Sequence, residues 1–193
     1  MKNNWQTAEE VLKKDGVVVL PTDTLYGIVG RAFSKTSVEK IYKLKDRIES
    51  KPFIILIHSY DDLKKFGIKI DKDQAKFLGK IWPGKVSVIL PCFLNKFHYI
   101  HRGVESIAFR MIGNKNKNLF NLINKIGPLV APSANFEGDK PAENIKEARK
   151  YFENKVDLYI NGGERKLKPS TLIKFKNNNH IVLRQGEVKI SQV

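Results

Sequence analysis

Hydroxyls and cations gather at the ends of short apolar runs in this chain. Thr22-Asp23-Thr24 follows the apolar run 17–20 and leads into a Tyr-Gly pair. Threonine hydroxyls in such a loop can hold the polar groups of an amino acid, or close a turn through bonds to their own backbone. Lys45, Arg47 and Lys51 place three cations within seven residues. They can grip a triphosphate, Arg as a fork and Lys as a point charge, or complement the dipole at an exposed helix end. Arg110 interrupts the apolar run 107–111. It either faces a cleft, where it can pair with a carboxylate, or lies on the solvent side of a half-exposed strand. Ser133 and Asn135, in Pro132-Ser133-Ala134-Asn135, can meet phosphate or ribose oxygens, or form an ordinary strand-to-loop turn. Pro169-Ser170-Thr171 precedes one apolar run, and Leu183-Arg184-Gln185-Gly186 closes another.

Other chemistries find no residues to carry them. No Gly-Lys-Ser/Thr follows the Ser133 loop, so it is not a Walker-type phosphate loop. No HExxH spacing accompanies His58, His98 and His101, and no protein-ligated metal is expected. There is no Gly-x-Ser-x-Gly elbow. Cys92 is the sole cysteine, which excludes an intramolecular disulfide and a multi-cysteine zinc site. It follows the apolar run 86–90, as suits an inert, partly buried thiol. No apolar run approaches the ~20 residues of a membrane span, and the N-terminus has no signal-peptide core. A cytoplasmic location is expected. Lys and Arg outnumber Asp and Glu by 35 to 20, a formal charge of +15. That balance favours polyanions, although scattered Lys and Asn account for much of it.

The elements that would position these clusters mix helices and strands. A length of 193 residues suits one domain, taken as residues 1–193. Thr7 with Glu10 and Thr36 with Glu39 have capping-box spacing and predict helix starts, the first helix stopping at Asp15-Gly16. Ser59 with Asp62 predicts a short helix through Phe66. Asp71 with Gln74 predicts another, stopped by Pro83-Gly84. Residues 119–126 and 142–152 read as helices. Strands are expected at 17–20, 53–57, 86–90, 107–111, 129–131, 158–160, 171–175 and 181–183. Residues 95–103 read as a loop. Strict βαβ alternation is missing, which favours a mixed α/β (α+β) domain over a doubly wound one.

Taken in order, PTDTLYG, KDR followed by KPFIILI, WPGKVSVIL, IAFRM, APSAN, PSTLIKF and LRQG resemble the YrdC-like family, the threonylcarbamoyl-AMP synthases. The resemblance runs over roughly residues 11–187 and is to the short, single-domain form. It implies a YrdC/RibB-like fold: a twisted, largely mixed sheet with flanking helices around a concave basic cavity. It implies an enzyme, a nucleotidyltransferase that makes threonylcarbamoyl-adenylate and pyrophosphate from L-threonine, bicarbonate and ATP, with Mg²⁺ carried on the ATP. A downstream complex then transfers the threonylcarbamoyl group to tRNA. Carried over by position, Thr24, Arg110, Ala131 and Ser170 would hold threonine. Arg47, Lys51, Ser106, Ser133, Asn135 and Arg184 would contact ATP, with Lys45 near the phosphates. Lys45, Arg47 and Arg110 would be the catalytic cations.

The chain departs from the family pattern at two places, and more mildly at a third, where WPGKVS replaces the commoner WPGP-L/V-T. Leu56 stands where members often have a His, and His58 lies two residues on. The family's Ser-, Gly- and Pro-rich run after S-x-N is here Phe136-Glu137-Gly138-Asp139-Lys140-Pro141-Ala142, one residue longer and lacking two hydroxyls. The rival reading is a basic module that binds double-stranded RNA or tRNA without catalysis. It has no RNP-type aromatic pair or GXXG loop behind it. A third, carbamoyl transfer from carbamoyl phosphate, belongs to larger multidomain relatives.

Overall fold

Alternation along the apolar runs sorts neighbouring residues onto opposite faces of one sheet. The structure, a computed structural model, describes residues 3–47, 51–176 and 179–191. The strands are β1 (Val18–Pro21), β2 (Tyr26–Arg31), β3 (Ile54–Ile57), β4 (Val86–Pro91), β5 (Ser106–Met111), β6 (Leu129–Val130), β7 (Leu158–Tyr159), β8 (Thr171–Lys176) and β9 (Asn179–Arg184). The helices are α1 (Asn4–Lys13), α2 (Lys35–Lys45), α3 (Tyr60–Lys65), α4 (Lys72–Ile81), α5 (His98–His101), α6 (Lys117–Ile126) and α7 (Ile145–Phe152). Among the described residues the strands form a nine-stranded sheet in the order β7-β1-β2-β6-β3-β5-β4-β8-β9. The β1–β7, β3–β5 and β4–β8 pairs are parallel and the rest antiparallel. The expected mixed α/β sheet with flanking helices is therefore what forms.

Both faces of the sheet are covered. Val18, Leu20 and Leu56 point toward α1 and α6, where Ala8, Leu12, Leu122 and Ile123 meet them. Val19, Ile55, Ile57 and Phe109 point the other way, into a core completed by Val38 and Ile41 of α2, Leu63 of α3, Leu78 of α4 and Ala148 of α7. The period of two decides the face. Fully burying side chains such as Leu56 or Phe109 stabilises the fold by about 1.5–3 kcal/mol each.

Several element boundaries differ from the sequence expectation, for local reasons. Helix α1 starts earlier than Thr7, because Asn3 and Gln6 form the capping box: the Asn3 side chain accepts from the Gln6 N–H and the Gln6 side chain from the Asn3 N–H. Ser34 caps α2 in place of Thr36, accepting from the Ser37 N–H. At α4 the Asp71–Gln74 box forms as its spacing predicts. Helix α7 begins behind the cap Asn144 rather than at Ala142. Residues 95–103 are not a plain loop but a 3-10 turn, Asn95–Phe97, running into α5. The largest correction is β2. No strand is expected at residues 26–31, yet they form a buried strand antiparallel to β1, with two glycines holding places in it.

Candidate active site

Sequence clusters from both ends of the chain converge across adjacent strands in the order β2-β6-β3-β5-β4-β8-β9. Arg110 lies opposite Leu56 in the parallel β3–β5 register and shares its face, the one that packs on α1 and α6. A cavity of about 200 Å³ opens there, lined by Thr22, Thr24, Tyr26, Arg110, Ala131, Ser133, Ser170 and Arg184 among others. Its volume lies below the range usual for drug-sized ligands, as a small polar molecule such as an amino acid requires.

The wall residues are held partly by their own turns and partly by distant segments of the chain. Thr22 closes the turn: its hydroxyl donates to the Leu25 carbonyl at 2.7 Å and accepts from the Thr24 N–H at 3.2 Å. The turn reading thus holds for Thr22, while the Thr24 hydroxyl stays in the cavity wall, 3.3 Å from that of Thr22. The fully buried Tyr26 hydroxyl accepts from the Gly162 N–H and donates to the Gly163 carbonyl, tying that segment to the same wall. Ser170 hydrogen-bonds the buried Ser87 hydroxyl at 2.8 Å. The Arg184 Nε and Nη2 donate to the Ser170 carbonyl at 3.2 and 2.9 Å.

Arg110 is only 4% exposed, so it lies in the cavity wall and not on the solvent side of a half-exposed strand. Its Nη2 lies 3.0 Å from Asp23 Oδ1, an ion pair buried on both sides. Its Nε is buried without a hydrogen-bond partner. Arg184 adds a second cation to this wall. Burial, with the nearby Arg110 charge, pushes its guanidinium below the ordinary value.

The basic motif is built differently from its cavity. Lys45 ends α2 with 1% exposure, and its Nζ donates to the carbonyls of Ser133, at 2.7 Å, and of Asn135. Its own carbonyl accepts from the Glu137 N–H at 3.1 Å. Lys45 thus clamps the S-x-N loop from behind. Burial first, and the Arg47 charge second, push its ammonium down to about 7 against the opposing pull of Glu137. Arg47 Nε donates to the Lys51 carbonyl at 2.9 Å. The Asn135 Nδ2 donates to the carbonyls of Phe136 and Asp139, at 2.7 and 2.9 Å, while its Oδ1 is buried without a partner. Lys45, Arg47, Lys51 and Asn135 do not line the cavity; the 133–137 segment joins them to it. Ser106 shares Arg110's face but lies four residues along β5, about 13 Å away at strand spacing.

The sequence model of the Sua5/YciO/YrdC family, described as Telomere recombination, matches residues 10–186. The chain belongs to that family. A putative threonylcarbamoyl-AMP synthase of Methanocaldococcus jannaschii is 30% identical over 195 residues, covering 95% of this chain and 88% of that protein. The Pyrococcus abyssi threonylcarbamoyl-AMP synthase is 27% identical over 184 residues, 94% of this chain and 54% of its own length. Sua5 of P. abyssi, solved with L-threonine, superposes with a TM-score of 0.86 at 27% identity, over 94% of this chain and 54% of the other. E. coli YciO, at 23% identity, shares the fold with a TM-score of 0.82 over 94% of this chain and 88% of that one. The chain spans about half the length of the P. abyssi relative and most of that of the M. jannaschii one.

Some site residues were not singled out from the sequence. Asp23 and Ser87 are the buried partners of Arg110 and Ser170. Both lie inside motifs, Asp23 in PTDTLYG and Ser87 in WPGKVSVIL, but neither motif indicates the partner. Leu56, at the family's His position, is fully buried beside Arg110. His58 bonds Asp62 through Nδ1 at 2.7 Å and is not among the lining residues. Cys92 is buried, and that burial pushes its thiol up, in keeping with an inert role. A larger hollow of about 840 Å³ between α3 and α4 is walled by Leu63, Ile68, Ile70, Ala75 and Gly79 and holds no such polar set.

Proposed function

We propose that the chain is a threonylcarbamoyl-AMP synthase acting on L-threonine, bicarbonate and ATP. The observation that carries the reading is one hollow walled by Thr24, Arg110, Ala131, Ser133, Ser170 and Arg184, residues drawn from the whole chain. In it Arg110 would take the threonine carboxylate, with Thr24 and Ser170 beside the amino acid's remaining polar groups and Ala131 offering backbone. Ser133 and Arg184 would meet the nucleotide, and Arg47 and Lys51 the triphosphate, with Ser106 further along the same face. Asn135 Oδ1 is an acceptor in want of a donor, which a ribose hydroxyl would supply.

Threonine's amine adds to the carbon of CO2 and the nitrogen gives up a proton to leave a carbamate; with bicarbonate a carbon–oxygen bond also breaks and water leaves with that proton. A carbamate oxygen then forms a bond to the α-phosphorus as the bond to the β-phosphate oxygen breaks and pyrophosphate leaves. The attacking group is already an anion, so the second step needs no strong side-chain base. It needs two repelling anions aligned and the charge on the phosphate oxygens balanced. That matches a site of Arg, Lys and hydroxyls. Mg²⁺ enters on the triphosphate; among the described residues no group of three or more His, Cys, Asp or Glu is placed to hold a metal. The adenylate would pass to a complex that modifies tRNA.

Pyrophosphate release, with each substrate omitted in turn, tests the proposal. Release is expected only when threonine, bicarbonate and ATP are all present; release without threonine would defeat it. Arg47→Ala should lower that rate by about a hundredfold with the fold intact, since the partners it loses are carbonyls and a partly exposed Glu137. A direct RNA contact has one observation behind it. A second hollow, lined by Trp5, Lys115, Lys117 and Arg165, shares Thr22 with the first. Binding there should weaken steeply with salt and ignore threonine.

A further inference from the structure

The two cations assigned to the triphosphate already face an anion of the protein itself. Arg47 Nη1 lies 3.2 Å from Glu137 Oε2, and Lys51 Nζ donates to Glu137 Oε1 at 2.7 Å. The rest of the Arg47 fork is fixed, Nε on the Lys51 carbonyl and Nη2 on the Pro52 carbonyl at 3.4 Å. The Glu137 carboxylate therefore meets one nitrogen of the Arg47 guanidinium and the Lys51 ammonium, the charges that a phosphate group would meet at the same place. Burial alone would raise its pKa. The Lys51 hydrogen bond and the charges of Arg47, Lys51 and Lys45 outweigh burial and hold the carboxyl below its ordinary value, so it is anionic at neutral pH. Glu137 also lies in the 136–142 run, where this chain departs from the Ser-, Gly- and Pro-rich pattern that it otherwise resembles.

We propose that Glu137 is an intramolecular stand-in for a nucleotide phosphate, displaced when the triphosphate binds, and that it sets this chain's affinity for nucleotide. The inference rests on the assignment of Arg47 and Lys51 to the triphosphate. The backbone need not move, because the Glu137 N–H can stay on the Lys45 carbonyl while the side chain turns away. A triphosphate brings several charged oxygens to the two cations and displaces one carboxylate; a ligand with a single negative charge gains nothing by the exchange. Glu137 is thus a threshold that favours polyphosphates over monoanions.

Calorimetric titration of inorganic triphosphate and of ATP into the full chain tests this, with Glu137→Gln, which keeps the side chain's shape, and Glu137→Ala as a second variant. Giving up two partly exposed ion pairs costs little each, so both variants should bind both ligands about three- to thirtyfold more tightly than wild type. The KM for ATP should fall in parallel and that for threonine should stay. Unchanged or weaker binding in both variants overturns the proposal. Binding weakened only when Mg²⁺ is present also overturns it, by making Glu137 a metal ligand. The two readings fail separately. Tighter triphosphate binding without pyrophosphate release defeats the synthase reading alone, and normal release with unaltered binding defeats this one alone.

Discussion

The Asp23–Arg110 pair governs what can be changed in the cavity. Both side chains are about nine-tenths or more buried, so removing one leaves the other as an uncompensated charge. Asp23→Ala should cost about 3–5 kcal/mol of stability. The double variant Asp23→Leu/Arg110→Met should lose much less than the two single changes summed, in chemical denaturation. Bound threonine would put a carboxylate beside the orphaned Arg110, so its thermal shift should be larger in Asp23→Ala than in wild type. Lys45 gives a pH dependence of definite sign. Its pKa is about 7 in the folded chain and ordinary, about 10.4, when unfolded. Between those values the unfolded chain holds a proton that the folded chain does not, so Lys45 makes stability rise with pH across that window. Below it the difference is constant. Lys45→Met should flatten the rise in denaturation midpoint; an identical slope in the variant would rule this account out.

Single elements place the site through close backbone packing. At Gly186, just past β9, a Cβ would fall 2.1 Å from the Pro169 carbonyl oxygen and 2.5 Å from the Ser170 carbonyl carbon. Gly186→Ala must push Ser170 and Arg184 apart. We expect about 1–3 kcal/mol of destabilisation and a higher KM for threonine, measured by thermal unfolding and by pyrophosphate release. The LRQG motif was therefore legible as a motif, while its reason lies in a contact 15 or more residues away. The same division holds elsewhere. Caps with strict spacing were readable where only one candidate stood, as at Asp71. They were misplaced where Asn3 or Ser34 offered a cap before the expected threonine. Strand β2 escaped because glycines break its apolar pattern, and its pairing with β1 and β6 makes it a strand. Arg110 was recognisable as a strand cation, but Asp23 as its partner needed the fold. Lys45 shares its helical phase with Val38, Ile41 and Tyr42, but phase alone does not show that the S-x-N loop covers it.

Over the whole molecule, the formal charge of +15 exceeds what the cavity uses. Lys13, Lys40, Lys64 and Lys125 meet carboxylates at the surface, and exposed pairs of this kind contribute about 0–1 kcal/mol each. The excess repels itself in the compact state. Raising NaCl from about 20 to about 200 mM shortens the screening length several-fold and should raise the thermal midpoint. A midpoint that falls with salt would mean that the attractive pairs dominate.

Ser170 and Arg184 complete a wall begun by Thr24 and Arg110. A polypeptide stalled on the ribosome before residue 169 would carry half a binding site and no means of closing it. Substrate can therefore lend no help to the earlier stages of co-translational folding. It can reward only the arrival of β8 and β9, and resistance to protease conferred by threonine would mark the moment that those strands dock.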